Sequence, residues 1–128
     1  MNNIKIKLKT SELTGAALDR AVAKAKRIEL SHGCYNRLLV DGRMSAGQKM
    51  LAPYNPSTDW ELGGPIIERE GIATWFERYE DEDAGLPCWF AAKYGEREYP
   101  GPTPLIAAMR CYVASKLGDE VEVPDEIL

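Results

Sequence analysis

A chain of 128 residues with 45% apolar and 28% charged residues has the composition of one globular domain, large enough to bury a core without disulfides or metals. These proportions exclude a disordered chain, and no apolar run approaches the roughly 18 residues that a membrane span requires. The net charge of −4 sets sequence-independent nucleic-acid binding at a disadvantage, because long-range repulsion opposes phosphate contacts.

From the start of the chain, Ile4-Lys5-Ile6-Lys7-Leu8-Lys9 alternates apolar and basic residues, which predicts a half-buried strand with lysines toward water. The preceding residues lack the apolar stretch of a signal peptide, so the expected location is the cytosol where the chain is made. Thr14 to about Arg27 predicts an amphipathic helix capped by Thr14, with Leu13 and Leu18 spaced as a hydrophobic staple. Leu18, Val22 and Ala25 mark its buried side. Lys24, Lys26 and Arg27 fall where cations favour the negative pole of the helix dipole.

Between Ile28 and Ala52 the pattern weakens. Arg37 to Arg43 reads as a strand entering a tight turn at Asp41-Gly42, with Lys49-Met50-Leu51 as its return partner. Residues 1 to 49 hold ten cations and four acids, a net +6, and the rest of the chain carries −10. The simpler reading of that asymmetry is two oppositely charged elements that pack together; the other is a basic face for an anionic ligand and an acidic one for a basic partner. Cys34, Cys88 and Cys111 are too widely and irregularly spaced for a disulfide framework and suit reduced thiols. His32 with these cysteines makes a poor zinc set, since zinc sites usually pair ligands two to four residues apart. No metal or cofactor is expected.

The segment from Tyr54 to Gly71 is the best candidate site. Ser57 or Thr58 can cap a short helical turn with Glu61 as capping-box partner, and Gly63-Gly64 should end it. Pro65 then starts a second short helix closed by Gly71. Two short helices about a diglycine would gather free amides that can hold an anion, although without a phosphate-loop pattern the glycines are better explained as caps and turns. Trp60 or Tyr54 offers a face for stacking on a planar ligand, or else a core anchor. Asp59 and Thr58 offer polar recognition or local turn bonds. Arg69 can meet a phosphate or pair with neighbouring glutamates.

Ile72 to Tyr79 and Pro87 to Tyr94 are rich in aromatic and β-favouring residues and predict an antiparallel pair. The acidic run Glu80 to Asp83 between them reads as a solvated loop without calcium-loop spacing. After a Pro/Gly-rich bend at Tyr99-Pro100-Gly101-Pro102, Thr103 caps and Pro104 begins a helix through Leu117, stopped by Gly118. Ile106, Met109, Val113 and Leu117 form its expected apolar stripe. Arg110, in its middle, is either a solvated residue or a charge aimed at a pocket. Glu120-Val121-Glu122-Val123 alternates as a last edge strand, ended by Pro124. The predicted class is α+β: a single domain over residues 1–128, mostly antiparallel sheet packed against two main helices, with short helical turns near residues 58–70.

Three blocks resemble the NinX-like accessory proteins of lambdoid phages and enterobacterial prophages: Ser11-Glu12-Leu13-Thr14-Gly15-Ala16-Ala17-Leu18-Asp19 with Ala21 to Ala25; Pro56-Ser57-Thr58-Asp59-Trp60 with Gly63 to Ile72; and Gly101 to Gly118. The resemblance implies a phage-encoded cytosolic protein and brings no catalytic residues with it.

Small phage accessory proteins frequently counter host defence, and sequestering a nucleotide-derived signal is an economical way to do so. The leading expectation is therefore a non-catalytic binder of a nucleotide-like small molecule, using Tyr54 or Trp60 for stacking, Thr58 and Asp59 for polar recognition, and Arg69 or Arg110 for negative charge. A first alternative is a protein-interaction module whose acidic surface inhibits a host or phage protein. A second is a nucleotide-degrading enzyme using the clustered Asp59, Glu61, Glu68 and Glu70. The site could lie within one chain or between the chains of a homo-oligomer.

Overall fold

The computed structural model describes residues 5–28, 37–40, 50–78 and 88–124. Strand β1 (Lys5–Lys9) passes through a short 3-10 turn (Thr10–Glu12) into helix α1 (Gly15–Lys26). Strands β2 (Arg37–Val40) and β3 (Met50–Pro53) follow, then helix α2 (Trp60–Glu70), strands β4 (Ile72–Glu77), β5 (Cys88–Lys93) and β6 (Tyr99–Gly101), helix α3 (Pro104–Leu117) and strand β7 (Glu120–Pro124). The α+β class is as the sequence predicts, with every strand pairing antiparallel. No helix among the described residues is long and apolar enough to cross a membrane.

The two alternating segments at opposite ends of the sequence are partners. β1 pairs with β7 so that Lys7 lies opposite Glu122 and Lys9 opposite Glu120. Part of the charge asymmetry along the chain is thus spent within one ribbon, where opposite charges across strands attract. Thr10 locks the ribbon to the end of α3: its amide donates to the Asp119 carbonyl at 2.8 Å and its hydroxyl to the Gly118 carbonyl at 2.6 Å.

α1 enters as predicted, but the Thr14 hydroxyl makes no cap hydrogen bond. Leu13 and Leu18, both buried, close the expected staple, so apolar packing rather than a side-chain bond fixes the entry. β2 pairs with β3, Val40 opposite Met50; the turn expected at Asp41-Gly42 lies outside the described residues, as do His32, Cys34 and the acidic run at Glu80 to Asp83.

Three expectations change. First, Gly63-Gly64 does not separate two short helices: α2 runs unbroken from Trp60 to Glu70 with Pro65 inside it. The Gly63 amide donates to the Asp59 carbonyl at 2.9 Å, so no diglycine amide nest forms. Gly63 is needed for closeness instead, since a Cβ there would collide with the Pro56 carbonyl and the Leu105 side chain. Second, the bend at residues 99–101 is a third strand, β6, on the edge of the β4-β5-β6 sheet, where Pro100 can lack its N–H. Third, α3 has no single stripe. It is packed by β4, β5, β6, α1 and α2, and Leu105 and every residue from Ala107 to Val113 are buried. Its cap is as expected, with the Ile106 amide donating to Thr103 Oγ at 3.1 Å.

Candidate functional site

Helices α1, α2 and α3 all finish at the same place. Their last turns enclose an open cleft of about 490 Å³ lined by Lys24, Lys26 and Arg27 from α1, Arg69 and Glu70 from α2, and Tyr112 and Lys116 from α3. Five of these side chains are cationic and one is acidic. Cations at helix C-termini are ordinary, so the magnitudes have to decide whether anything is left over. Each C-terminus supplies about half a negative charge, so three ends and Glu70 offset roughly two and a half of the five positive charges. About as many remain unmatched, in a chain whose net charge is negative.

The two walls of the cleft differ. On one, Glu70 is surrounded: it accepts from Arg69 Nε at 3.1 Å and Lys93 Nζ at 2.9 Å, with Lys116 Nζ at 3.5 Å. The bonds from Lys93 and Arg69 hold its carboxyl down at about 2. On the other, Lys24, Lys26 and Arg27 have no salt-bridge partner among the described residues. Burial of the ammonium lowers the pKa of Lys26, and the Arg69 charge adds to that effect. Such a surface is suited to receiving an anion with several oxygens.

The six residues singled out by sequence do not assemble into one site. Arg69 alone of them lines the cleft. Trp60 is 56% exposed at the first turn of α2, nine positions before Arg69, which places it roughly 13 Å away along the axis and half a turn around it. Its indole lies against Gly64 and is not among the side chains that line the cleft. Asp59 is the N-cap of α2, accepting from the Glu61 amide at 2.9 Å, the role expected of Ser57 or Thr58. Thr58 exchanges hydrogen bonds with Asn55 in the turn before it.

Tyr54 is buried and presents no face for stacking. Its hydroxyl has no hydrogen-bond partner among the described residues, and burial, with Tyr112 and Asp19 nearby, pushes its pKa up to about 12. It belongs to a buried polar group beside the cleft in which Asp19 Oδ1 accepts from the Ser57 amide at 2.8 Å. Burial raises the Asp19 carboxyl against the pull of that bond.

Arg110 is not aimed at a pocket. Its guanidinium is buried and donates through Nε to the Leu13 carbonyl and through Nη1 to the Pro100 carbonyl, each at 2.8 Å. It ties the entrance of α1 and strand β6 to α3. No group of three or more metal-ligating side chains occurs among the described residues.

Sequence reasoning assigned Lys24, Lys26 and Arg27 to the helix dipole and singled out neither Tyr112 nor Lys116. The available signal was that every helix carries a cation in its last turn; what it lacked was that the three ends meet.

A search of curated proteins returns no match. A family model described as Bacteriophage P22, NinX matches residues 9–116, which takes in every lining residue named above. The chain therefore belongs to the bacteriophage P22 NinX family and is a phage accessory protein.

Proposed function

We propose that this accessory protein acts without catalysis, countering host defence by binding and sequestering a nucleotide-derived small molecule whose phosphate end sits in the cleft at the three helix ends. The observation that carries the reading is the cleft itself: five cations around about 490 Å³, with the α1 wall unpaired among the described residues. That volume falls in the range of small-molecule sites. Lys24, Lys26, Arg27, Arg69 and Lys116 supply the charge, and Glu70 holds Arg69 and Lys116 in place. Because Trp60 does not line the cleft and Tyr54 is buried, neither stacks on a ligand held here, and recognition rests on the anionic end.

Calorimetry against cyclic nucleotides and ADP-ribose-like compounds, with adenosine as the phosphate-free control, tests the reading. Phosphate-bearing ligands should bind and be recovered intact after heat denaturation, and adenosine should not bind. Folded protein that binds none of the panel would sink the idea.

A further inference from the structure

Two helices in this molecule end with the same backbone geometry and different residues. The cap of α2 is Gly71, at φ 66° and ψ 41°, and the cap of α1 is Arg27, at φ 60° and ψ 41°. This left-handed conformation suits glycine and strains a residue with a Cβ. Arg27 is the one non-glycine residue at positive φ among the described residues.

Among the described residues, the ordinary structural reasons for an arginine there are absent. Its backbone amide donates to Ala23 and Lys24 carbonyls, bonds that glycine would keep. The α1 dipole is already met by Lys24 and Lys26 in the last turn. Arg27 is exposed and has no salt bridge among the described residues, yet it lines the cleft opposite Arg69. What the side chain adds over glycine is a guanidinium at the mouth of a site that already carries excess positive charge.

We infer that Arg27 is a ligand-binding residue of this cleft, its planar fork placed to grip the phosphate oxygens of the anion, and that the unfavourable backbone at this cap persists for that contact. The inference rests on the phosphate-binding reading above. Strain retained at a binding residue is a known pattern, and a guanidinium matches phosphate geometry in a way an ammonium does not.

The experiment pairs thermal melts with calorimetric titration of inorganic pyrophosphate into the wild type, Arg27→Gly, Arg27→Lys and Lys9→Gln, the last a remote charge control on β1. Arg27→Gly should melt about 3 °C higher while its pyrophosphate affinity falls about tenfold. Arg27→Lys, which keeps both strain and charge, should melt like the wild type and bind several-fold more weakly. Lys9→Gln should bind unchanged. Equal binding by wild type and Arg27→Gly overturns the assignment of Arg27 and leaves the cleft standing. A lower melting temperature for Arg27→Gly also overturns it, because the arginine would then serve the fold. A wild type that fails to bind pyrophosphate removes the phosphate-binding reading and this inference together.

Discussion

The surroundings of Arg110 and the cleft at the helix ends are both built on cations carried by helices, and they treat those cations in opposite ways. Arg110 is enclosed, with Nε and Nη1 donating to the Leu13 and Pro100 carbonyls. In the cleft, Lys24, Lys26 and Arg27 find no carboxylate among the described residues, and Arg69 stands close enough to depress Lys26. A charge whose hydrogen bonds close within the chain is part of the fold; charges that meet one another at a surface depression are directed outward. The number of positive residues does not separate the two regions. The fate of their donors does.

The largest effect should come from the enclosed side. Arg110→Ala leaves two carbonyls without their donor and opens a void beside α3, so it should cost about 3–4 kcal/mol by urea denaturation. Any pyrophosphate affinity of the folded fraction should stay at the wild-type level. A loss of under about 1 kcal/mol would break the contrast.

Glu70→Gln sharpens it from the cleft side. The folded-state pKa of Glu70 lies near 2, below the ordinary 4.5, so the unfolded chain holds the proton more tightly over that window. Its stabilising contribution is complete above about pH 4.5 and is lost as pH falls toward 2. Arg69 and Lys116 are half-exposed, and screening holds the contribution to about 1–2 kcal/mol. The wild type should therefore exceed Glu70→Gln in stability at pH 7, and the two denaturation curves should converge as the solution is acidified; a gap independent of pH would contradict the ion-pair account.

The smallest effect has the opposite sign. Tyr54→Phe removes a buried hydroxyl with no partner among the described residues and should stabilise the protein by about 1 kcal/mol. Destabilisation instead would show that the hydroxyl is satisfied, by water or by a ligand.

Much of this architecture is legible in the sequence because it depends on local rules. Alternation identifies β1 and β7, the Thr103-Pro104 start and Gly118 stop bound α3, and the Leu13–Leu18 spacing places the entry of α1. What is not legible depends on distant contacts. Gly63 reads as a terminator until Leu105 is seen against it, Tyr99 to Gly101 reads as a bend until β5 pairs with it, and the α3 stripe dissolves because neighbours cover that helix on several sides. The candidate residues are dispersed for the same reason. Asp59, Trp60 and Arg69 are close in sequence but spread along and around one helix, whereas the cleft draws on residues 24–27, 69–70 and 112–116, which only folding brings together.

The crowding of like charges at the three helix ends makes ionic strength a two-edged variable for this protein. Mobile ions screen Lys26 from Arg69 over distances of about 10 Å at 0.1 M salt, so moderate salt should firm the empty fold. The same ions would weaken the attraction for the charged ligand proposed above, and multivalent buffer anions would compete for the cleft itself, where occupancy would add stability by mass action. A buffer chosen to keep the protein folded is thus one that would mask the binding proposed for the cleft.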